Sequence, residues 1–215
     1  MNIGVLGTGG VGATISTKLV SLGHNVRMGS RTASNEKAVA WVKGAGKNAS
    51  HGTFADAAAF GEVIFNCTSG GGAVDAVKAA GAAALGTKVL IDVTNPLDFS
   101  KGMPPSSMHR GDTSLAEQIQ AAMPNVRVVK ALNTITANLM VDASRVKGAH
   151  DVFLCGNDAA AKTQVTTMLR DWFGWKTVVD LGDLTAARAQ ELYVLFWVRV
   201  WGAMGTADFN VHVTK

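Results

Sequence analysis

Residues 7–12 read Gly7-Thr8-Gly9-Gly10-Val11-Gly12, a G-x-G-x-x-G pattern, and its flanks decide what it can be. Before it stands the short apolar run Ile3–Leu6; after it Val11, Ile15, Leu19 and Leu22 recur at the spacing of one helical face. The pattern alone is weak, but framed by a strand and a helix it constrains the fold strongly. Gly7 permits a tight turn. Gly9 removes a Cβ where an anion would approach, and Gly12 lets the helix pack close to the strand. The free N–H groups around Gly9, Gly10 and Val11, with the positive end of the helix, suit a phosphate. The alternative is a glycine-rich turn in an unrelated α/β fold.

The rest of the chain repeats this alternation. Short β-rich runs fall at residues 3–6, 25–28, 63–67, 89–93, 126–131, 152–155 and 177–181. Helix-period segments fall between them, at 10–22, 35–43, 73–84, 114–123, 159–173 and 186–204. Such order predicts an α/β fold: a Rossmann-type, doubly wound, mostly parallel sheet with helices on both faces. The runs VIFNC and VLIDV are apolar on both faces, as a doubly covered sheet requires. The expected division is a dinucleotide-binding domain over 1–181 and a small C-terminal helical part over 182–215.

The second strand leads into Met28-Gly29-Ser30-Arg31-Thr32. An acid near Ser30 would grip a ribose diol and repel a 2′-phosphate; a serine and an arginine do the reverse. Ser30 can donate its hydroxyl, and Arg31 offers a planar fork matched to phosphate. Lys37 adds a further positive charge. The pattern predicts NADP(H) rather than NAD(H); the alternative is an exposed loop arginine with no ligand.

Other features narrow the class. The net charge is +4, but the basic residues are scattered, so no nucleic-acid footprint is expected. The two cysteines, Cys67 and Cys155, close apolar runs and read as buried reduced thiols. No signal-peptide pattern precedes the first strand, and the apolar segment 192–204 contains Arg199 and is too short for a bilayer, which needs ~20 residues. No membrane association and a cytoplasmic location are the expectation. The segment 96–113 holds three of the four prolines and shows no periodicity, so it reads as a binding loop or lid, or as a disordered connector. The last helix is apolar around most of its circumference, which suits either a homodimer contact or enclosure within one chain.

With these residues in place, the sequence resembles the F-420-dependent NADP oxidoreductases, whose fold is similar to the reductase domain of the six-transmembrane ferric reductases. The motifs are GTGGVG at 7–12, GSR at 29–31, DVTNP at 92–96, KALNT at 130–134, CGND at 155–158 and DLGDLTAAR at 180–188. The resemblance implies NADPH across the carboxyl edge of the sheet, with its nicotinamide against a deazaflavin or flavin ring: F-420, FMN or FAD. It places the 2′-phosphate near Thr8, Ser30, Arg31 and Lys37. It places the nicotinamide near Thr68, Ser69 and Gly70, then Asn95 and Pro96, then Ala131, Leu132, Asn133 and Thr134. The chain departs from the family at Gly70-Gly71-Gly72, where deazaflavin-using members carry a bulky apolar pair. The three glycines are expected to leave a smaller, more flexible wall.

Three functions fit. Hydride transfer between stacked rings needs close positioning and dry surroundings rather than acid–base groups, and no catalytic triad, carboxylate pair or metal cluster is evident. Reduction of a small carbonyl or imine would need a general acid, for which only Lys130, Asn133 or His109 offers. Lys130 reads as a strand residue snorkelling to the surface, and His109 sits on the long loop. A non-catalytic NADPH sensor is the third.

Overall fold

The computed structural model describes residues 1–214. Its elements, in order, are β1 (Asn2–Leu6), α1 (Gly10–Ser21), β2 (Asn25–Ser30), α2 (Glu36–Ala45), β3 (Ala49–Thr53), α3 (Phe54–Phe60) and β4 (Val63–Asn66). Then come α4 (Ala73–Ala80), α5 (Ala82–Leu85), β5 (Val89–Asp92), β6 (Leu97–Asp98), β7 (Ser106–Ser107), α6 (Leu115–Ala122) and β8 (Arg127–Ala131). The last are α7 (Ala137–Met140), β9 (Asp151–Gly156), α8 (Ala159–Phe173), β10 (Thr177–Asp180) and α9 (Ala187–Met204).

One eight-stranded sheet runs β10-β9-β8-β5-β4-β1-β2-β3. Every pairing in it is parallel except β8 with β9. The chain leaves β1 toward β2 and β3, then returns to place β4 on the other side of β1. That reversal opens a crevice at the carboxyl ends of β1 and β4, the place where doubly wound sheets bind ligands.

Alternation within the strands assigns the two faces. Ile3, Val5, Val63, Phe65, Val89, Ile91 and Val129 pack with Ile15 and Leu19 of α1 and Val165 and Leu169 of α8. Leu6, Ile64, Leu90 and Val128 pack with Phe54 and Ala57 of α3, Val77 of α4 and Ile119 of α6. Both faces of the central strands are therefore dry, as the apolar runs predict.

The structure adds elements that periodicity does not reveal. β3 and α3 fill the stretch after α2; β3 is an edge strand of sequence ASHGT, with no apolar alternation. The alanine-rich segment 73–84 is two helices, broken at Gly81, whose φ is +88°. The segment 96–113 is neither structureless nor a plain connector: β6 and β7 form a small antiparallel hairpin, closed by Met108 N–H to the Pro96 carbonyl at 2.7 Å. No described helix is long and apolar enough to cross a membrane. The last helix is not apolar and buried all round. Gln190, Glu191, Val194 and Val198 face inward, while Phe196, Trp201 and Met204 are exposed.

Candidate active site

Two adjoining clefts occupy the carboxyl edge around the reversal point. The first, about 740 Å³, is lined by Gly7, Thr8, Gly9, Ser30, Arg31, Asn35, Phe54 and Asp75 among others. The second, about 370 Å³, is lined by Val11, Val93, Thr94, Asn95, Leu97, Phe99 and Met108. Cys67, Thr68, Ser69 and Gly71 belong to both. A depression of about 760 Å³ lies elsewhere, beside α6, but its lining carries Glu117, Asp158 and Asp183 against one Arg127, the wrong balance for a phosphate ligand.

The glycine turn fits an anion. Gly7 holds φ +117°, a conformation that a residue with a Cβ rarely adopts, and a Cβ on it would lie 2.6 Å from the Cys67 carbonyl oxygen. A Cβ on Gly12 would lie 2.3 Å from the Gly7 carbonyl oxygen, so only glycine lets α1 start so close to β1. A Cβ on Gly9 would meet nothing within 4 Å. The approach to α1 is thus open on its ligand side. The N-terminus of α1 has no side-chain cap and no acid in its first turn, which leaves its first amides for a bound anion.

Ser30 is nearly buried, and its hydroxyl donates to the Thr32 carbonyl. It shapes the loop, and the exposed Arg31 is the group that loop presents. Asn35 caps α2 by accepting from the Lys37 and Ala38 amides. Lys37 itself is exposed and does not line the cleft.

At the other end, the three glycines 70–72 form a single 3-10 turn leading into α4. A Cβ on Gly70 would sit 2.1 Å from the Asn95 carbonyl oxygen, so this glycine is dictated by a close backbone approach. Asn95 Nδ2 donates to the Asn133 carbonyl at 2.8 Å, and Asn133 Nδ2 donates to Asn95 Oδ1 at 2.9 Å and to the Gln190 carbonyl at 3.0 Å. Ala131 and Asn133 are buried and line neither cleft; neither do Gly10, Gly12 and Pro96. Leu132, between Ala131 and Asn133, has φ +65°, the one positive value outside glycine among the described residues. Such strain is characteristic of edges built to position a ligand.

Lys130 is not a snorkelling residue. Its ammonium is fully buried, 2.8 Å from both Asp92 Oδ2 and Glu191 Oε1, and it donates to the Thr94 carbonyl. Burial alone would lower its pKa; the Asp92 and Glu191 carboxylates outweigh that and hold it above the usual lysine value. Glu191 also accepts from the Leu115 and Ala116 amides at the start of α6. His109 does not reach a cleft: its Nε2 faces Gln118 Nε2 at 3.3 Å. None of the five histidines lines either cleft.

Sequence reasoning misses Phe54, Asp75, Leu97, Phe99 and Met108 as lining residues. Phe54 carries a usable signal, because it opens α3 behind a capping box from Thr53 to Asp56. The hairpin residues carry a signal only as a segment, the proline-rich, aperiodic stretch 96–113 that reads as a binding loop or a connector; nothing singles out Leu97, Phe99 or Met108 within it.

A doubly wound sheet, a strand–glycine–helix turn and two joined clefts at its switch point define a dinucleotide-binding protein of the Rossmann class. The profile of the family described as NADP oxidoreductase, coenzyme F420-dependent, matches residues 2–96. The chain is 45% identical, with a TM-score of 0.95 over 100% of both chains, to a crystal structure from Arthrobacter sp. FB24 provisionally assigned as an F420-dependent NADP-reductase. It is 32% identical over 200 residues to Metalloreductase STEAP3 of Rattus norvegicus, covering 93% of this chain and 37% of that protein. A reductive aminase from Aspergillus terreus, solved with NADPH, shares the fold at 18% identity and TM-score 0.63, over 95% of this chain and 62% of that one. The chain belongs to the coenzyme F-420-dependent NADP oxidoreductase family and is an NADP-dependent oxidoreductase.

Proposed function

We propose that the protein passes a hydride between NADPH and a deazaflavin or flavin-type acceptor, with F-420, FMN and FAD as the candidates. The observation that carries this reading is the second cleft. It joins the first through Thr68, Ser69 and Gly71, its walls include Val11, Val93, Leu97, Phe99 and Met108, and no lysine, histidine or carboxylate lines it. An apolar slot without a general acid suits a flat ring that accepts hydride directly.

In this reading Gly9, Gly10 and Val11 hold the pyrophosphate on their amides, with Gly7 and Gly12 setting the turn. Arg31 holds the 2′-phosphate, beside Thr8 and Ser30, with Lys37 adding charge from α2. Thr68, Ser69, Asn95 and Pro96 flank the nicotinamide, Asn133 holds Asn95 by two hydrogen bonds, and Ala131 lies buried at the end of β8. Bound NADPH supplies the hydride. The hairpin residues Leu97, Phe99 and Met108 keep water from the slot. A carbonyl or imine reductase finds less support, because Lys130 is sealed by two carboxylates and His109 is turned to Gln118. The exposed Phe196, Trp201 and Met204 of α9 support a homodimer.

The test mixes the protein with NADPH and, separately, F-420, FMN, FAD, a ferric chelate and a small cyclic imine, following absorbance at 340 nm. One or more of the first three is expected to oxidise NADPH. Oxidation by the imine alone would overturn the reading, and tight NADPH binding without any turnover would favour a sensor.

The glycine turn makes a paired prediction. Gly9→Val, with open space for its side chain, should fold with stability within about 0.5 kcal/mol of the parent and lose NADPH affinity about tenfold or more. Gly12→Val should lower the melting temperature as well, because its side chain strikes the Gly7 carbonyl. Thermal melts and titration calorimetry check both.

A further inference from the structure

Under the second cleft lies a buried ionic cluster with unequal charges. Asp92, Lys130 and Glu191 are each at most 2% exposed, so two carboxylates share one ammonium. Asp92 accepts from Asn66 Nδ2 at 3.2 Å and from Thr94 Oγ1 at 2.9 Å. Asn66 Oδ1 in turn accepts from the Thr68 hydroxyl at 2.8 Å. Thr68 lines both clefts and Thr94 lines the second. The cluster is thus one residue beneath the slot floor, and α9 supplies one of its charges from 61 residues beyond Lys130. The two amides of α6 that bind Glu191 offset part of the excess, since a helix N-terminus carries roughly half a positive charge.

The field of this cluster reaches the lining. Burial pushes the Cys67 thiol up, and the Asp92 carboxylate pushes it further. A group beside Cys67 therefore meets negative potential, which disfavours an anion there and favours a cation. Loss of a hydride, two electrons and a proton, turns a neutral dihydronicotinamide ring into a cation.

We infer that the Asp92–Lys130–Glu191 cluster is a positioning and electrostatic element of the nicotinamide slot, which binds the oxidised, cationic ring of NADP⁺ in preference to the neutral ring of NADPH and so favours hydride donation. This rests on the reading given under Proposed function. Asp92, Lys130 and Glu191 act through Thr68 and Thr94 and touch no ligand themselves.

The test is calorimetric titration of the full chain with NADP⁺ and with NADPH, for the parent, Glu191→Gln and Asp92→Asn. Each substitution removes one negative charge while keeping the shape. The ratio of the NADP⁺ to the NADPH dissociation constant should rise roughly three- to tenfold in either variant. Equal weakening of both ligands, the outcome of a merely structural role, would overturn the inference, as would an unchanged ratio. If Glu191→Gln does not fold, Asp92→Asn decides. A parent that binds neither nucleotide would instead sink the reading of the site itself. Where an acceptor is found, the potential of the bound NADP⁺/NADPH couple should rise in both variants.

Discussion

Replacing Lys130 with methionine should cost about 3–5 kcal/mol of stability, the usual loss when one partner of a buried ion pair is removed. For a chain of this size that corresponds to a fall in melting temperature of roughly 6–20 °C. The cause is specific. Without the ammonium, Asp92 and Glu191 are left facing each other in a site where both are at most 2% exposed, with no counter-charge. Glu191 belongs to α9, so the repulsion also acts on the seat of that helix and on the start of α6, whose Leu115 and Ala116 amides it binds. The triple variant Lys130→Met, Asp92→Asn, Glu191→Gln should recover much of the loss, because the cost of the single variant is chiefly that of uncompensated buried charge, which the two amides remove. Thermal unfolding followed by circular dichroism checks both. A fall of less than about 2 °C in the single variant would show that Lys130 is not the counter-ion that holds α9 on the sheet.

Such a cluster illustrates where sequence reading stops. The glycine turn and the Ser30–Arg31 loop are legible because each is written in adjacent residues whose conformations are local: a strand, a tight turn, a helix. The mostly parallel sheet, covered on both faces, follows from the alternation of short apolar runs with helix-period segments. Asp92, Lys130 and Glu191 stand 38 and 61 residues apart along the chain, and nothing in their spacing says that they meet. A lysine after an apolar strand reads as surface-seeking until its two partners are located. β3 is illegible for a different reason. An edge strand of Ala, Ser, His, Gly and Thr carries no hydrophobic period, and only pairing with β2 makes it a strand. α3 behind it is signalled by the Thr53–Asp56 capping box, a cue of four residues that periodicity alone passes over. The hairpin of β6 and β7 pairs two residues with two, too few to carry a pattern. Its Leu97, Phe99 and Met108 become part of the slot only because the Pro96 carbonyl holds Met108 back against it.

Replacing Arg31 with aspartate should weaken NADPH roughly 30- to 100-fold and leave NADH unchanged or slightly tighter. Two effects add. The guanidinium that would meet the 2′-phosphate is lost, and a carboxylate that repels it is gained. The same carboxylate can accept from the ribose hydroxyls of NADH, the role that an acid plays in NAD-selecting loops. Ser30 does not substitute for the lost contact, because its hydroxyl donates to the Thr32 carbonyl and fixes the loop. Lys37, exposed on α2 and absent from the cleft lining, should leave a residual preference. Arg31 is solvent-exposed, so its contribution should be screened. The NADPH affinity of the parent should fall with ionic strength more steeply than its NADH affinity, and the difference should vanish in Arg31→Asp. Titration with both nucleotides at two salt concentrations measures all of this. Equal losses for NADPH and NADH would mean that Arg31 shapes the loop without reading the phosphate, and the selectivity would then have to come from Thr8 and Lys37 instead.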